Sequence, residues 1–247
     1  MSLWPTGYAL LELDEIDSTN EEARRRALAG EKGPLWITAA RQNAGRGRRG
    51  RTWQSAEGNL AATLLIRPEK PAMACAQLSF VAALAVSDML ARLAPTADFA
   101  LKWPNDVLAG GRKIAGILLE SESRADGSAA WLAAGIGVNL AMFPPDTEFP
   151  ATSLAALGLA APAPKDALLH LAAAFAKWYE AWRAEGFSPV REAWLARAAG
   201  LGARIRARLA KEEPIGVFQG IDENGALLLG LPGGTTRAIS AGEVFFG

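Results

Sequence analysis

Gly45-Arg46-Gly47-Arg48-Arg49-Gly50-Arg51-Thr52-Trp53 puts three glycines and four arginines into nine residues and ends on an indole. Glycine permits positive φ and lets backbone N–H groups approach a ligand closely. Arginine offers planar, permanently charged forks that suit phosphate and carboxylate. The stretch therefore reads as a loop that closes around a polyanion. It lacks the Gly-x-x-x-x-Gly-Lys-Ser/Thr order of a P-loop, and its third glycine comes too early for the dinucleotide fingerprint. Gly/Arg-rich tracts also occur as disordered RNA-binding segments or as solvated basic faces. Here the tract is a short island between apolar runs at 35–40 and 60–66. It is expected to join two strands of a folded domain, with a phosphate loop ranked ahead of nucleic-acid contact.

The chain has 247 residues, half of them hydrophobic. That suits one large domain, or a large and a small one. Lys+Arg and Asp+Glu are both 26, so the formal net charge is zero. A chain devoted to nucleic acid would show a basic excess. The single cysteine, Cys75, excludes an internal disulfide, fits a reducing compartment and reads as a buried small hydrophobe. No charged-then-apolar signal segment opens the chain. The most apolar stretch, 73–94, holds Gln77, Ser79, Ser87, Asp88 and Arg92, so it is expected to be a core helix and not a membrane span. A cytoplasmic protein with no membrane partner is expected. One histidine, His170, excludes histidine triads and multi-histidine zinc sites.

The chain order reads as mixed α and β. A first strand is expected at 8–13, and Ser18-Thr19-Asn20-Glu21 reads as a capping box opening a helix to about Gly30. Ser18 is then an N-cap; Thr19 and Asn20 are free to meet a polar ligand group at the helix N-terminus. Strands are expected at 35–40, 60–66, 99–103, 113–120 and 131–140, with Gly110-Gly111 as a hairpin turn. Two helices follow, at 165–185 and 189–199. After Gly200-Leu201-Gly202 the pattern changes to short strands at 203–209, 214–221, 226–231, 236–240 and 243–246. About five strands in under fifty residues suggest a small β-barrel appended to a mixed domain.

Two further polar clusters stand out. In Lys102-Trp103-Pro104-Asn105-Asp106 a lysine, an amide and a carboxylate flank a rigid proline, although Pro-Asn-Asp is also ordinary turn chemistry. Lys113 opens a strand beside a tight turn, where a solvated lysine is the plain alternative. Gly135 and Gly137 sit two apart in a strand, which often marks close approach of a ligand or another backbone, and Asn139 ends it as a base reader or a turn residue. Together these give many cations, one rigid carboxylate and no resident nucleophile. That combination suits attack of a substrate carboxylate on the α-phosphate of ATP, with catalysis mainly by positioning and charge stabilisation.

Gly45 to Arg51, Lys102-Trp103-Pro104-Asn105-Asp106, Lys113-Ile114-Ala115-Gly116-Ile117-Leu118-Leu119-Glu120 and Gly135-Ile136-Gly137-Val138-Asn139 resemble, as a set in order, the motifs of biotin protein ligases. Ser18-Thr19-Asn20, Ala151-Thr152-Ser153-Leu154 and the tail with Gly225 and Gly242-Glu243-Val244 fit the same pattern. The resemblance implies an α+β fold: a class II aminoacyl-tRNA-synthetase-like catalytic domain (1–199), its mixed sheet flanked by helices, and a C-terminal SH3-like β-barrel (200–247). It implies that biotin and MgATP give biotinyl-5′-AMP and pyrophosphate, and that biotin then passes to a lysine of a biotin carboxyl carrier domain. Carried over by position, Ser18, Thr19, Asn20, Gln42, Arg46, Gly47, Arg48, Lys113, Gly116 and Gly135 would bind biotin. Arg49, Arg51, Trp53, Lys102, Asn105 and Asn139 would bind ATP. Lys113, Arg48 and Asp106 would be catalytic, with Mg2+ required but its ligands not assigned. The motif set starts at residue 18, so a monofunctional ligase with no specific DNA binding is expected. The family includes homodimers as well as monomers. The competing readings are a lipoate ligase or octanoyltransferase, an RNA-binding protein and a non-catalytic biotin-binding module.

Overall fold

The computed structural model describes residues 3–246. Its strands are β1 (Ala9–Ile16), β2 (Leu35–Gln42), β3 (Leu60–Ile66), β4 (Phe99–Lys102), β5 (Asp106–Ala109), β6 (Arg112–Ser123), β7 (Ala129–Val138), β8 (Arg204–Arg208), β9 (Ile215–Ile221), β10 (Leu227–Gly230), β11 (Thr236–Ile239) and β12 (Glu243–Phe246). Its helices are α1 (Thr19–Leu28), α2 (Ala72–Cys75), α3 (Leu78–Leu93), α4 (Pro164–Glu185) and α5 (Ser188–Leu195). A seven-stranded sheet runs β1-β2-β3-β7-β6-β5-β4, and a five-stranded one runs β11-β10-β9-β8-β12. In the large sheet only β1 and β2 pair in parallel; the other ladders are antiparallel. The small sheet is antiparallel throughout, and its ladder is open: β11 and β12 stand at its two ends.

Two-residue alternation divides the large sheet into two faces. In β3, Leu60, Ala62, Leu64 and Ile66 point into the main core with α3 and α4, as do Leu132, Ala134, Ile136 and Val138 of β7. On the other face Leu65, Trp131 and Ala133 pack against Ala23 and Ala27 of α1. That second face carries Thr63 on β3 and Gly135 and Gly137 on β7. These positions are small or polar because something other than core fills the space above them.

Three expectations are corrected. The 73–94 helix is two helices, broken by a turn at Ala76 and Gln77. The turn places the Gln77 side chain to accept from Trp182 Nε1 at 2.8 Å and to donate to the Glu223 carbonyl at 3.3 Å. Residues 103–105 do form a turn, but Asp106 opens β5, a strand absent from the expected elements that is wholly buried and pairs on both edges. Ser18 is the N-cap residue of α1 but makes no side-chain cap bond. Asp17 accepts the Ser18 N–H instead, at 2.7 Å, and Glu21 turns to Arg24 and Arg46. Arg25 grips Asp17 with two hydrogen bonds, and chiefly for that reason the carboxyl is lowered to about 2.

Arg67 closes the far end of α1. Its guanidinium donates to the carbonyls of Ala27, Glu31 and Ala130 at 3.0, 2.8 and 2.6 Å. Late carbonyls of a helix have no partner within it, so a cation there satisfies them and offsets the helix dipole. Arg67→Met keeps the stem and removes the donors. It is expected to lower stability by about 1.5–3 kcal/mol, read from the urea midpoint at unchanged slope; an unaltered midpoint would contradict the capping role.

Candidate active site

A cavity of about 250 Å³ opens on the α1 side of the large sheet. Its floor is β3, β6 and β7, its back is the start of α1, and the Gly/Arg loop forms its roof. Every residue expected in the site lines it except Arg49.

The floor is close-fitted. A Cβ on Gly135 would lie 2.1 Å from Asn20 Oδ1, and one on Gly137 would lie 2.2 Å from Trp53 Cε2. A Cβ on Gly116 would meet Lys113 Nζ and Trp53 Cζ3, both at 3.1 Å. The strand glycines thus seat one amide and one indole. Gly135 faces Asn20, while Gly116 and Gly137 carry Trp53.

A chain of hydrogen bonds crosses this floor. Gln42 Nε2 donates to Ser55 Oγ at 2.6 Å, and Gln42 Oε1 accepts the Thr19 N–H at 2.8 Å and its hydroxyl at 3.1 Å. Thr63 Oγ1 lies 2.8 Å from Thr19 Oγ1 and 2.7 Å from Asn20 Oδ1. Asn20 Nδ2 donates to Glu120 at 2.7 Å, and Glu120 also accepts from Arg46 at 3.2 Å. The orientation of Asn20 is therefore fixed from both ends. A fixed amide amid fixed hydroxyls is equipped to read a ligand with both donors and acceptors.

Lys113 and Asp106 form the site's central ion pair, Nζ to Oδ1 at 2.6 Å. The Lys113 backbone is clamped by the 150–152 segment, through its N–H to the Pro150 carbonyl at 2.8 Å and its carbonyl to the Thr152 N–H at 2.9 Å. Asn139 is held by the same segment: its Nδ2 donates to the Thr152 carbonyl at 3.0 Å. Its Oδ1 is buried and has no partner among the described residues, an acceptor ready for a ligand donor. Asn105 donates to the Ile117 carbonyl at 2.6 Å and accepts from Arg48 at 3.0 Å. The peptide bond between Trp103 and Pro104 is cis. Lys102 is almost fully buried, and burial above all lowers its ammonium to about 8.

The Gly/Arg loop is knitted to itself. Gly47 N–H reaches the Arg51 carbonyl at 2.7 Å, and Trp53 N–H reaches the Gly45 carbonyl at 2.9 Å. A Cβ on Gly45 would lie 2.4 Å from the Trp53 carbonyl oxygen, so glycine is required there. Arg49 holds φ at +57°, the left-handed region that is uncommon outside glycine. Each arginine has a partner. Arg46 meets Glu21 and Glu120, and Arg48 meets Asn105. Arg49 reaches Glu243 at 3.6 Å, and Arg51 reaches the same carboxylate at 2.5 Å. Arg208 binds Glu243 and Glu148 as well. Burial opposes the charge on Glu243, but Arg208, Arg51 and Arg49 keep it below the usual carboxylate range. Arg49 thus reaches the cavity wall only through Glu243, which lines it.

Sequence reading gave no role to Thr63, Ser55, Glu120, Thr152, Phe149 and Glu243. Thr63 is the only polar residue in Leu-Ala-Ala-Thr-Leu-Leu-Ile, a signal that was available. Glu120, Thr152 and Glu243 lie in quoted motifs and received no role. The others depend on contacts between distant segments.

A pocket of mixed polar and apolar lining, with a central Lys–Asp pair, guanidinium groups over it and no cysteine or histidine among the described residues that line it, describes an enzyme site for an anionic nucleotide and a small acid. Comparison with known proteins agrees. Residues 13–139 match the biotin/lipoate A/B protein ligase family, and residues 200–247 match the biotin protein ligase C-terminal domain. The chain is 50% identical to the biotin–[acetyl-CoA-carboxylase] ligase of Paracoccus denitrificans, over 95% of this chain and 99% of that one. It is similar to the Aquifex aeolicus biotin protein ligase solved with biotin and ATP (29% identity, TM-score 0.82, 96% of this chain and 97% of that one). It is also similar to the Leishmania major biotin protein ligase solved with biotinyl-5-AMP (28% identity, TM-score 0.66, 96% and 100%). The chain belongs to the biotin/lipoate protein ligase family.

Gly137→Ala is expected to push Trp53 off its seat and release the loop. Tryptic cleavage between Arg46 and Arg51, followed by mass spectrometry, should then run roughly fivefold faster or more. Cleavage at the wild-type rate would show that Trp53 does not hold the loop down.

Proposed function

We propose that this chain activates biotin with ATP and transfers it to a lysine of a biotin carboxyl carrier domain. The observation that carries this reading is the Lys113–Asp106 pair at 2.6 Å, set in a cavity with a glycine floor and a guanidinium roof. In the first step a carboxylate oxygen of biotin attacks the α-phosphorus. The bond from that phosphorus to the bridging oxygen breaks, and pyrophosphate leaves with the electron pair. Lys113 would bridge carboxylate and α-phosphate, assisted by Arg48 from the loop. In the second step the acceptor amine attacks the acyl carbon, AMP departs, and the proton lost by nitrogen passes towards Asp106. Ser18, Thr19, Asn20 and Gln42 with Gly116 and Gly135 would hold the biotin ring system, and Arg46 and Gly47 would cover it. Trp53, Lys102, Asn105 and Asn139 would attend the nucleotide, with Arg51 at the phosphates.

Magnesium is assigned to the nucleotide substrate. Among the described residues no three His, Cys, Asp or Glu side chains gather to hold a metal, and Asp106 is already engaged by Lys113. Mg2+ commonly binds through substrate phosphates with few protein ligands. The large sheet with its flanking helices is read as a class II synthetase-like domain (1–199), and the small sheet as an SH3-like barrel (200–247). The change from large to small sheet supports that boundary. The RNA-binding alternative loses support because every arginine of the loop has a partner within the protein.

Pyrophosphate release from ATP should depend on biotin, and it should not be replaced by release with lipoate or octanoate. Lys113→Ala should reduce it by about 100-fold or more. Release with lipoate instead would move the chain to the sister activity, and release with no acid would sink the reading.

A further inference from the structure

Lys102 is the only lysine of the cavity that makes no ion pair among the described residues, and it is held by aromatic rings instead. Its Nζ lies 3.1 Å from the centroid of Phe149, and 5.8 and 5.9 Å from those of Phe245 and Phe246. Phe149 stacks on Phe245 with centroids 4.7 Å apart and planes 25° from parallel. Arg206 and Arg208 in turn place their guanidinium carbons 4.6 Å from the centroid of Phe245. A chain of contacts from cation to ring to ring to guanidinium, bent nearly at a right angle at Phe149, therefore leads from the cavity into the small sheet. Phe149 comes from the 141–150 connection and Phe245 from β12, so two segments remote in sequence converge on one ammonium.

A buried ammonium without a carboxylate needs another source of negative potential, and the face of an aromatic ring supplies it. The charged groups around Lys102 do not substitute for the ring. Asp106 and Glu243 favour its charge, Lys113 and Arg51 oppose it, and burial outweighs them all. Both carboxylates are already committed, Asp106 to Lys113 and Glu243 to three arginines.

We propose that Phe149, backed by Phe245, is a positioning residue that holds Lys102 Nζ charged and aimed at the nucleotide phosphates. Besides Glu243 and Val244, which line the cavity, the small sheet thereby contributes to the nucleotide end of the site through a ring. The inference rests on the reading above that Lys102 attends the nucleotide.

The test is steady-state biotin-dependent pyrophosphate release, with KM for ATP, KM for biotin and kcat measured separately. Phe149→Leu keeps an apolar side chain but removes the ring face. It is expected to raise KM for ATP about threefold to tenfold, with KM for biotin unchanged, and Phe149→Tyr should restore the wild-type value. The pH profile gives a second readout. The charged lysine is the active form, so kcat/KM for ATP should fall as pH rises through about 8. Losing the ring destabilises the ammonium while burial remains, so in Phe149→Leu that fall should move to lower pH. In Lys102→Met the Phe149→Leu penalty should vanish, because both act through one group. If Lys102→Met leaves KM for ATP unaltered, the nucleotide reading of Lys102 fails. If Lys102→Met raises it while Phe149→Leu does not, or the Phe149→Leu penalty persists in Lys102→Met, the positioning role is overturned and the reading of Lys102 stands. Phe245→Leu offers the same comparison should Phe149→Leu fail to fold.

Discussion

The site depends on one face of a sheet giving up its side chains. Strand alternation would normally put bulk at 116, 135 and 137, as it does on the opposite face with Ile117, Ile136 and Val138. Glycine at these positions brings Asn20 and Trp53 down onto the backbone of β6 and β7. Everything else follows from that closeness. Asn20 can reach Glu120 only because nothing stands on Gly135. Trp53 can anchor the loop only because nothing stands on Gly137.

The small sheet is part of the same construction. Trp103 Nε1 donates to the Gly225 carbonyl at 3.0 Å, and Arg191 donates to the Ile221 carbonyl at 2.7 Å. A Cβ on Gly225 would lie 2.6 Å from Phe80, so the turn after β9 is pressed against the main core. These ties place Glu243 and Val244 in the wall of a cavity built mostly by the other sheet, with Phe245 next in the strand. The side chains that matter there are not interchangeable. Glu243 orders cations by charge, whereas Phe245 does so through its ring.

Much of this could be read from the chain. Leu60–Ile66 and Glu243–Phe246 have the bounds expected, and most other elements differ by one to three residues. The cations and amides of the site were legible because chemistry at short spacing is local information. Glu120, Thr152 and Glu243 were not, since each acts on a group far away in the sequence, and a lone carboxylate in a strand does not announce its partner. The capping box failed for a related reason. Ser18 has the right neighbours for a cap, but Asp17 accepts the N–H that Glu21 would have taken. Strand β5 was hidden because four residues after a proline look like a turn until a neighbouring strand pairs with them.

The loop that looked like a bare cluster of positive charge is, in the folded chain, partly balanced, although Arg48 meets only the Asn105 amide. Glu21, Glu120, Glu148 and Glu243 already face its guanidinium groups. An incoming polyphosphate meets one guanidinium held only by an amide and competes with carboxylates for the other three. Added salt weakens the internal pairs and the new ones together. The ionic-strength dependence of nucleotide capture should therefore be flatter than four arginines in nine residues suggest, and discrimination falls to geometry more than to charge.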